Sequence, residues 1–127
     1  MDSSQQLPTD AELRVLQVLW EAGPQTVREV HERLSGEKDV RYTTVLKILQ
    51  NMLRKGLVLR DDSDRSHIFE AAVSEARTTS RLLDDVTHRV FGGSTGELVL
   101  RALSSQRASE GDLEKIREVL AALEDDS

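Results

Sequence analysis

The chain has 127 residues, 38% of them apolar and 31% charged, with a formal net charge of −6. At that length one domain, or a small domain with an appendage, can bury a core without metal or disulfide staples, and with aromatics at 3% the core must be aliphatic. The absence of cysteine excludes disulfides, thiolate metal sites and thiol catalysis and fits a cytoplasmic protein, while no apolar run approaches the roughly 20 residues of a membrane span and the polar residues 1–6 lack a signal-peptide pattern.

The first predicted helix covers about residues 11–21. Thr9 and Glu12 have capping-box spacing, Leu13, Leu16, Leu19 and Trp20 supply the apolar side, and Gly23-Pro24 ends it. Trp20 reads as core. A second helix starts at once: Thr26 and Glu29 form another capping box, and Val27, Val30 and Leu34 repeat at helical spacing. Residues 35–39 form a turn cluster. The third helix runs from about Tyr42 to Lys55, with Gly56 as its stop. Residues 57–60 and 67–70 read as two short strands joined by the loop 61–66. From residue 74 the pattern is helical again. One long helix spans Glu75 to Phe91, Gly92-Gly93 breaks it, Ser94 and Glu97 cap a short helix, and Ser109 and Asp112 open a last one. The acidic end, residues 124–127, reads as frayed.

The fold expectation is mostly α: a winged helix-turn-helix (three helices and a small β-hairpin wing) over residues 1–72, then a three-helix dimerisation region over 73–127. The tail helices are too thin to close a core of their own. A second copy of the chain is the economical cover, and the interface expected is Leu98, Val99, Leu103, Leu113, Ile116 and Leu120. The alternative is that these helices fold back on the amino-terminal part of a monomer.

Net charge alone argues against nucleic acid, but its distribution does not. Residues 1–72 carry 10 basic and 12 acidic side chains, and residues 73–127 carry 7 and 11. Within the first part, residues 41–60 hold Arg41, Lys47, Arg54, Lys55 and Arg60 and no acid. On the third helix Val45, Ile48, Leu49, Met52 and Leu53 fall on one side, and Thr43, Thr44, Lys47, Gln50, Asn51 and Arg54 within an arc of about 120° on the other. Solvent-facing helices ordinarily mix both signs. A polar face without carboxylates suits an anion, and a helix is thin enough for the major groove. Lys47 and Arg54 can reach guanine edges or phosphates, Gln50 and Asn51 can pair with adenine, and Thr43 and Thr44 can touch phosphate or a thymine methyl. Arg41 and Tyr42 lie where the chain would cross the sugar-phosphate strand, and Arg60 and Arg65 flank the wing. The partner expected is therefore double-stranded DNA. The competing reading is a winged domain that binds protein, which would more often expose large apolar groups at its centre.

Leu13–Trp20 (LRVLQVLW), Thr26–Val30 (TVREV), the run from Tyr42 through Leu49 (YTTVLKIL), Arg54-Lys55-Gly56-Leu57-Val58, Gly93-Ser94 with Glu97-Leu98-Val99-Leu100, and Leu113-Glu114-Lys115-Ile116-Arg117 occur in an order and spacing that resemble the penicillinase-repressor (BlaI/MecI/CopY) family of bacterial regulators. The resemblance covers about residues 8–123. It implies a homodimeric winged-helix repressor that reads a pseudo-palindromic operator, with half-sites of a TACA/TGTA kind, and blocks transcription from it. Well-known members are released when a membrane sensor's protease pathway cuts an Asn-Phe bond. The aligned pair here is Arg101-Ala102, which departs from that pattern. The cysteine-rich metal tail of the copper-responsive branch is absent, and no cofactor is implied.

His31, His67 and His88 are scattered and read as structural rather than as zinc ligands. Asp62 and Asp64 imitate the start of a calcium loop, but the glycine and glutamate that such a loop needs further on are missing. No nucleophile elbow or phosphate-cradling glycine loop is present, so no enzymatic activity is expected.

Overall fold

The computed structural model describes residues 6–36, 39–105 and 107–126. Glu37 and Lys38 of the predicted turn, and Ser127 of the acidic end, lie outside them. The elements in order are α1 (Asp10–Ala22), β1 (Gln25–Thr26), α2 (Val27–Leu34), α3 (Tyr42–Lys55), β2 (Val58–Asp61), β3 (Ile68–Ala71), α4 (Glu75–Phe91), α5 (Thr95–Ser105) and α6 (Glu110–Asp125). Among the described residues no helix is long and apolar enough to cross a membrane.

Local chemistry explains most boundaries. Thr9 and Thr26 each accept from the amide three residues on, while Glu12 and Glu29 accept from the N-cap amides, closing both capping boxes. Gly56 ends α3 in the left-handed conformation at φ +80°, where an L side chain would be strained. The Leu57 amide then donates back to the Met52 carbonyl at 2.9 Å, the long-range bond of a Schellman cap. That bond takes the amide from the ladder, so β2 starts at Val58, one residue later than the pattern predicts. β3 is shifted likewise, to Ile68–Ala71.

The three strands form one antiparallel sheet in the order β1-β3-β2. Arg60 faces Phe69 and Asp61 faces Ile68 across the hairpin, while Gln25 pairs with Phe69 and Thr26 with Ile68 on the other edge. β1 is not expected from the sequence. Two polar residues between Gly23-Pro24 and a helix cap carry no alternation to reveal them.

The chain divides into two compact units, 1–83 and 84–127, the division falling inside α4. In the first, Val15, Leu16 and Leu19 of α1, Val27 and Val30 of α2, Val45, Leu49 and Met52 of α3, and Leu57, Val58 and Phe69 of the wing region close a core. It is aliphatic apart from Phe69. Trp20 packs half-buried against it, its indole N–H donating to the Val73 carbonyl at 2.9 Å.

In the second unit no apolar side chain among the described residues is buried. α6 continues through Glu124 to Asp125, with Asp126 as its C-cap, so the predicted fraying does not extend to these residues. The strong helix formers Leu120, Ala121, Ala122 and Leu123 carry the ladder into the acidic end.

Candidate nucleic-acid interface

Of the six helices described, α3 alone has no acidic residue in its first turn. Carboxylates at that position stabilise a helix by meeting the positive end of its dipole. α3 forgoes this, and its N-cap Arg41 makes no side-chain cap bond. The first intrahelical amides to find an acceptor are those of Thr44 and Val45, both on the Arg41 carbonyl. The amides of Tyr42 and Thr43 have none among the described residues. An uncapped, acid-free helix start is suited to an anion such as phosphate.

Behind that start, Val45, Leu49 and Met52 are fully buried and anchor the helix, while Thr43, Thr44, Lys47, Gln50 and Arg54 are exposed. Asn51 is half-buried, and its Oδ1 accepts from the Arg54 guanidinium at 2.7 Å, which orients two of the candidate base readers against each other. Lys47 and Arg41 have no charged partner among the described residues.

Both ends of α3 are fixed. At the carboxyl end Lys55 Nζ lies 2.8 Å from Glu12 Oε2 and 2.9 Å from its Oε1. Burial pushes the Glu12 carboxyl up, but the Lys55 ammonium and the Thr9 amide and hydroxyl outweigh it and hold the pKa below the ordinary glutamate value. At the amino end His31 Nε2 donates to the Val40 carbonyl at 2.6 Å, just ahead of the helix, and the His31 ring meets Tyr42 edge-on at 5.8 Å. Tyr42 is thus a mounting group at least as much as a surface one, although 46% exposed.

The wing is more acidic in three dimensions than its arginines promise. The Arg60 guanidinium lies 2.7 Å and 3.2 Å from the two oxygens of Asp62, which also receives His67 Nδ1 at 2.7 Å. Arg65 is exposed, and its amide donates to Asp64. Asp61 accepts from the Ser63 amide, which lowers its pKa. Of the five cations between residues 41 and 60, Lys55 and Arg60 are therefore neutralised by carboxylates, and Arg41, Lys47 and Arg54 remain for a ligand. The pairs Glu12–Lys55 and Asp62–Arg60 are what a count along the chain misses. Asp62 stands close enough in sequence to be suspected, whereas Glu12 does not.

In the second unit Val99, Leu103 and Leu120 are exposed and Leu98, Leu113 and Ile116 half-buried. Val90, Leu100, Val119 and Leu123 are also exposed. Arg101 and Ala102 lie within α5, both exposed. His88 Nδ1 bonds the Asp84 carbonyl of its own helix.

Comparison with known proteins gives a consistent picture. The penicillinase repressor family model matches residues 8–122. The transcriptional regulator BlaI of Mycobacterium tuberculosis is 35% identical over 117 residues, 91% of this chain and 83% of that protein. The DNA-binding domain of the repressor BlaI, solved in solution, superposes with a TM-score of 0.51 at 25% identity, covering 60% of this chain and 92% of that one. The monomeric form of Bacillus licheniformis BlaI, solved in complex with the blaP half-operator, shares the fold at a TM-score of 0.50 and 24% identity, over 57% of this chain and 88% of that one. The winged helix-turn-helix architecture and a family match over nearly the whole chain place this protein in the penicillinase repressor family.

Proposed function

We propose that this protein is a transcriptional repressor that binds a pseudo-palindromic DNA operator as a homodimer, with α3 of each copy in a major groove. The observation that carries this reading is the carboxylate-free surface of α3, from its uncapped start at Arg41 through Thr43, Thr44, Lys47 and Gln50 to the Asn51–Arg54 pair. The fold it sits on is that of the DNA-binding domain of the repressor BlaI. The overall negative charge suppresses indiscriminate binding, while the local cations supply contacts where the groove geometry accepts them.

The dimer rests on the second unit. No apolar side chain on its helices is fully buried among the described residues, and twofold pairing would bury Leu98, Val99, Leu103, Leu113, Ile116 and Leu120 while placing two readers on paired half-sites. Bound across a promoter, the dimer would exclude polymerase. A sensor protease acting at Arg101-Ala102 would meet a bond inside a regular helix and would need α5 to open first.

Selection from a pool of random duplexes tests the reading. Repeated recovery of one inverted-repeat motif is the expected result, with Lys47→Ala and Arg54→Ala each weakening binding to it. Recovery of no shared motif overturns the reading in favour of a protein-binding winged domain.

A further inference from the structure

Asn51 and Arg54 stand three residues apart on α3, and their side chains meet: Arg54 Nη2 donates to Asn51 Oδ1 at 2.7 Å. Chemistry fixes the polarity of this bond. A guanidinium carries five N–H donors and no acceptor, so the Asn51 amide must turn its oxygen toward Arg54 and leave Nδ2 pointing elsewhere. No carboxylate pairs with Arg54 among the described residues. The backbone beneath the pair is held from both sides. Met52 is fully buried, and the Lys55 ammonium is fixed to Glu12 at 2.8 Å. The Arg54 side chain itself is exposed, long and rich in rotamers, and half-buried Asn51 supplies the restraint on it.

The bond changes what the two residues can read. It uses one hydrogen on one terminal nitrogen, so one of the two edges on which the guanidinium offers parallel donors stays open. Asn51 Nδ2 adds donors of its own. The Asn51 oxygen keeps a second lone pair, but an adenine amino group placed there would stand beside the guanidinium, donor against donor. In the major groove guanine presents two adjacent acceptors, O6 and N7, whereas adenine and cytosine each bring an amino donor. A pair of side chains rich in donors therefore matches guanine and opposes adenine. Gln50 differs. It is exposed and makes no side-chain hydrogen bond among the described residues, so its oxygen and nitrogen are both free to meet an adenine.

We propose that Asn51 and Arg54 act as one reader that selects guanine, with Arg54 on the base edge and Asn51 as the positioning residue that aims it, and that Asn51 does not itself read adenine. Two independent readers at these positions would specify two base pairs, whereas the linked pair specifies one. The inference rests on the DNA-binding reading and adds to it the base that this part of α3 selects.

The full chain and its variants Asn51→Leu, Asn51→Asp and Arg54→Ala are each used to select from a pool of random duplexes, with thermal melting to show that each is folded. Asn51→Leu, which cannot accept a bond, and Arg54→Ala should relax the same single position of the half-site, a guanine. Asn51→Asp keeps an acceptor at the same reach and should retain that guanine. With the unmodified chain, 7-deazaguanine at that position removes the N7 acceptor and should weaken binding about tenfold, whereas Asn51→Leu should lose no more than about threefold. Asn51→Leu relaxing an adenine, the two variants relaxing different positions, or Asn51→Leu keeping the guanine that Arg54→Ala loses overturns the proposal. So does a motif that neither variant relaxes, and a shallower salt dependence for Arg54→Ala would then place Arg54 on a phosphate. Indifference of the unmodified chain to the analogue at every guanine of its motif overturns the proposal without any variant. Recovery of no shared motif by the unmodified chain instead overturns the proposed function, before any variant is compared.

Discussion

Glu12 and Lys55 meet across 43 residues of sequence, and their side chains are 5% and 22% exposed. Replacing Lys55 with Met leaves a buried carboxylate without its cation. The expected loss of stability in urea lies between the about 1 kcal/mol of an exposed pair and the about 3–5 kcal/mol of a fully buried one. Because the pKa of Glu12 is lowered in the folded state, the pair's contribution is complete above the ordinary glutamate pKa and disappears as pH falls through the lowered value. The Lys55→Met difference should therefore shrink in acid, and a constant difference would contradict the assignment. Asp62 makes the opposite case, a carboxylate that holds a cation away from DNA. Asp62→Asn releases Arg60 and should steepen the salt dependence of duplex binding by about one phosphate contact, and an unchanged slope would show that Arg60 does not approach the backbone. The candidate readers on α3 are legible from their own spacing. Which cations of residues 41–60 are already neutralised is not, because the decisive Glu12 belongs to another helix.

At the level of elements, α3 is mounted on Val45, Leu49 and Met52, each fully buried. Leu49→Ala should destabilise the winged unit by about 2–5 kcal/mol, read as a lower denaturation midpoint, with DNA affinity recovering wherever the unit remains folded. A variant that stays fully folded yet no longer binds DNA would give Leu49 a role beyond packing. The helices are readable because their stops and starts are written in side chains: Thr9 with Glu12, Thr26 with Glu29, Gly23-Pro24, and Gly56. Two features are not. β1 exists only through its pairing with β3, a tertiary fact without local pattern. β2 begins one residue late because the Leu57 amide is spent on the α3 cap, a competition that hydrophobic alternation does not register.

For the molecule as a whole, the winged unit is closed by its own core, while the second unit has no fully buried apolar side chain among the described residues. If a second copy covers its apolar helix faces, Ile116→Asp with Leu120→Asp should sediment as a monomer and bind an inverted repeat far more weakly than the unmodified chain, and an unchanged mass would place the interface elsewhere. The sequence shows that these helices need cover without showing what provides it, because amphipathic spacing is the same whether the partner is the same chain or another copy. The most direct test of the account is a structure of the protein bound to a duplex recovered by selection. Thr44 and Lys47 should face the major groove, with Lys47 Nζ within about 3 Å of a base edge or phosphate oxygen, and the α3 amino terminus should be directed at the backbone. Thr44 and Lys47 pointing into solvent, with another surface against the duplex, would contradict it.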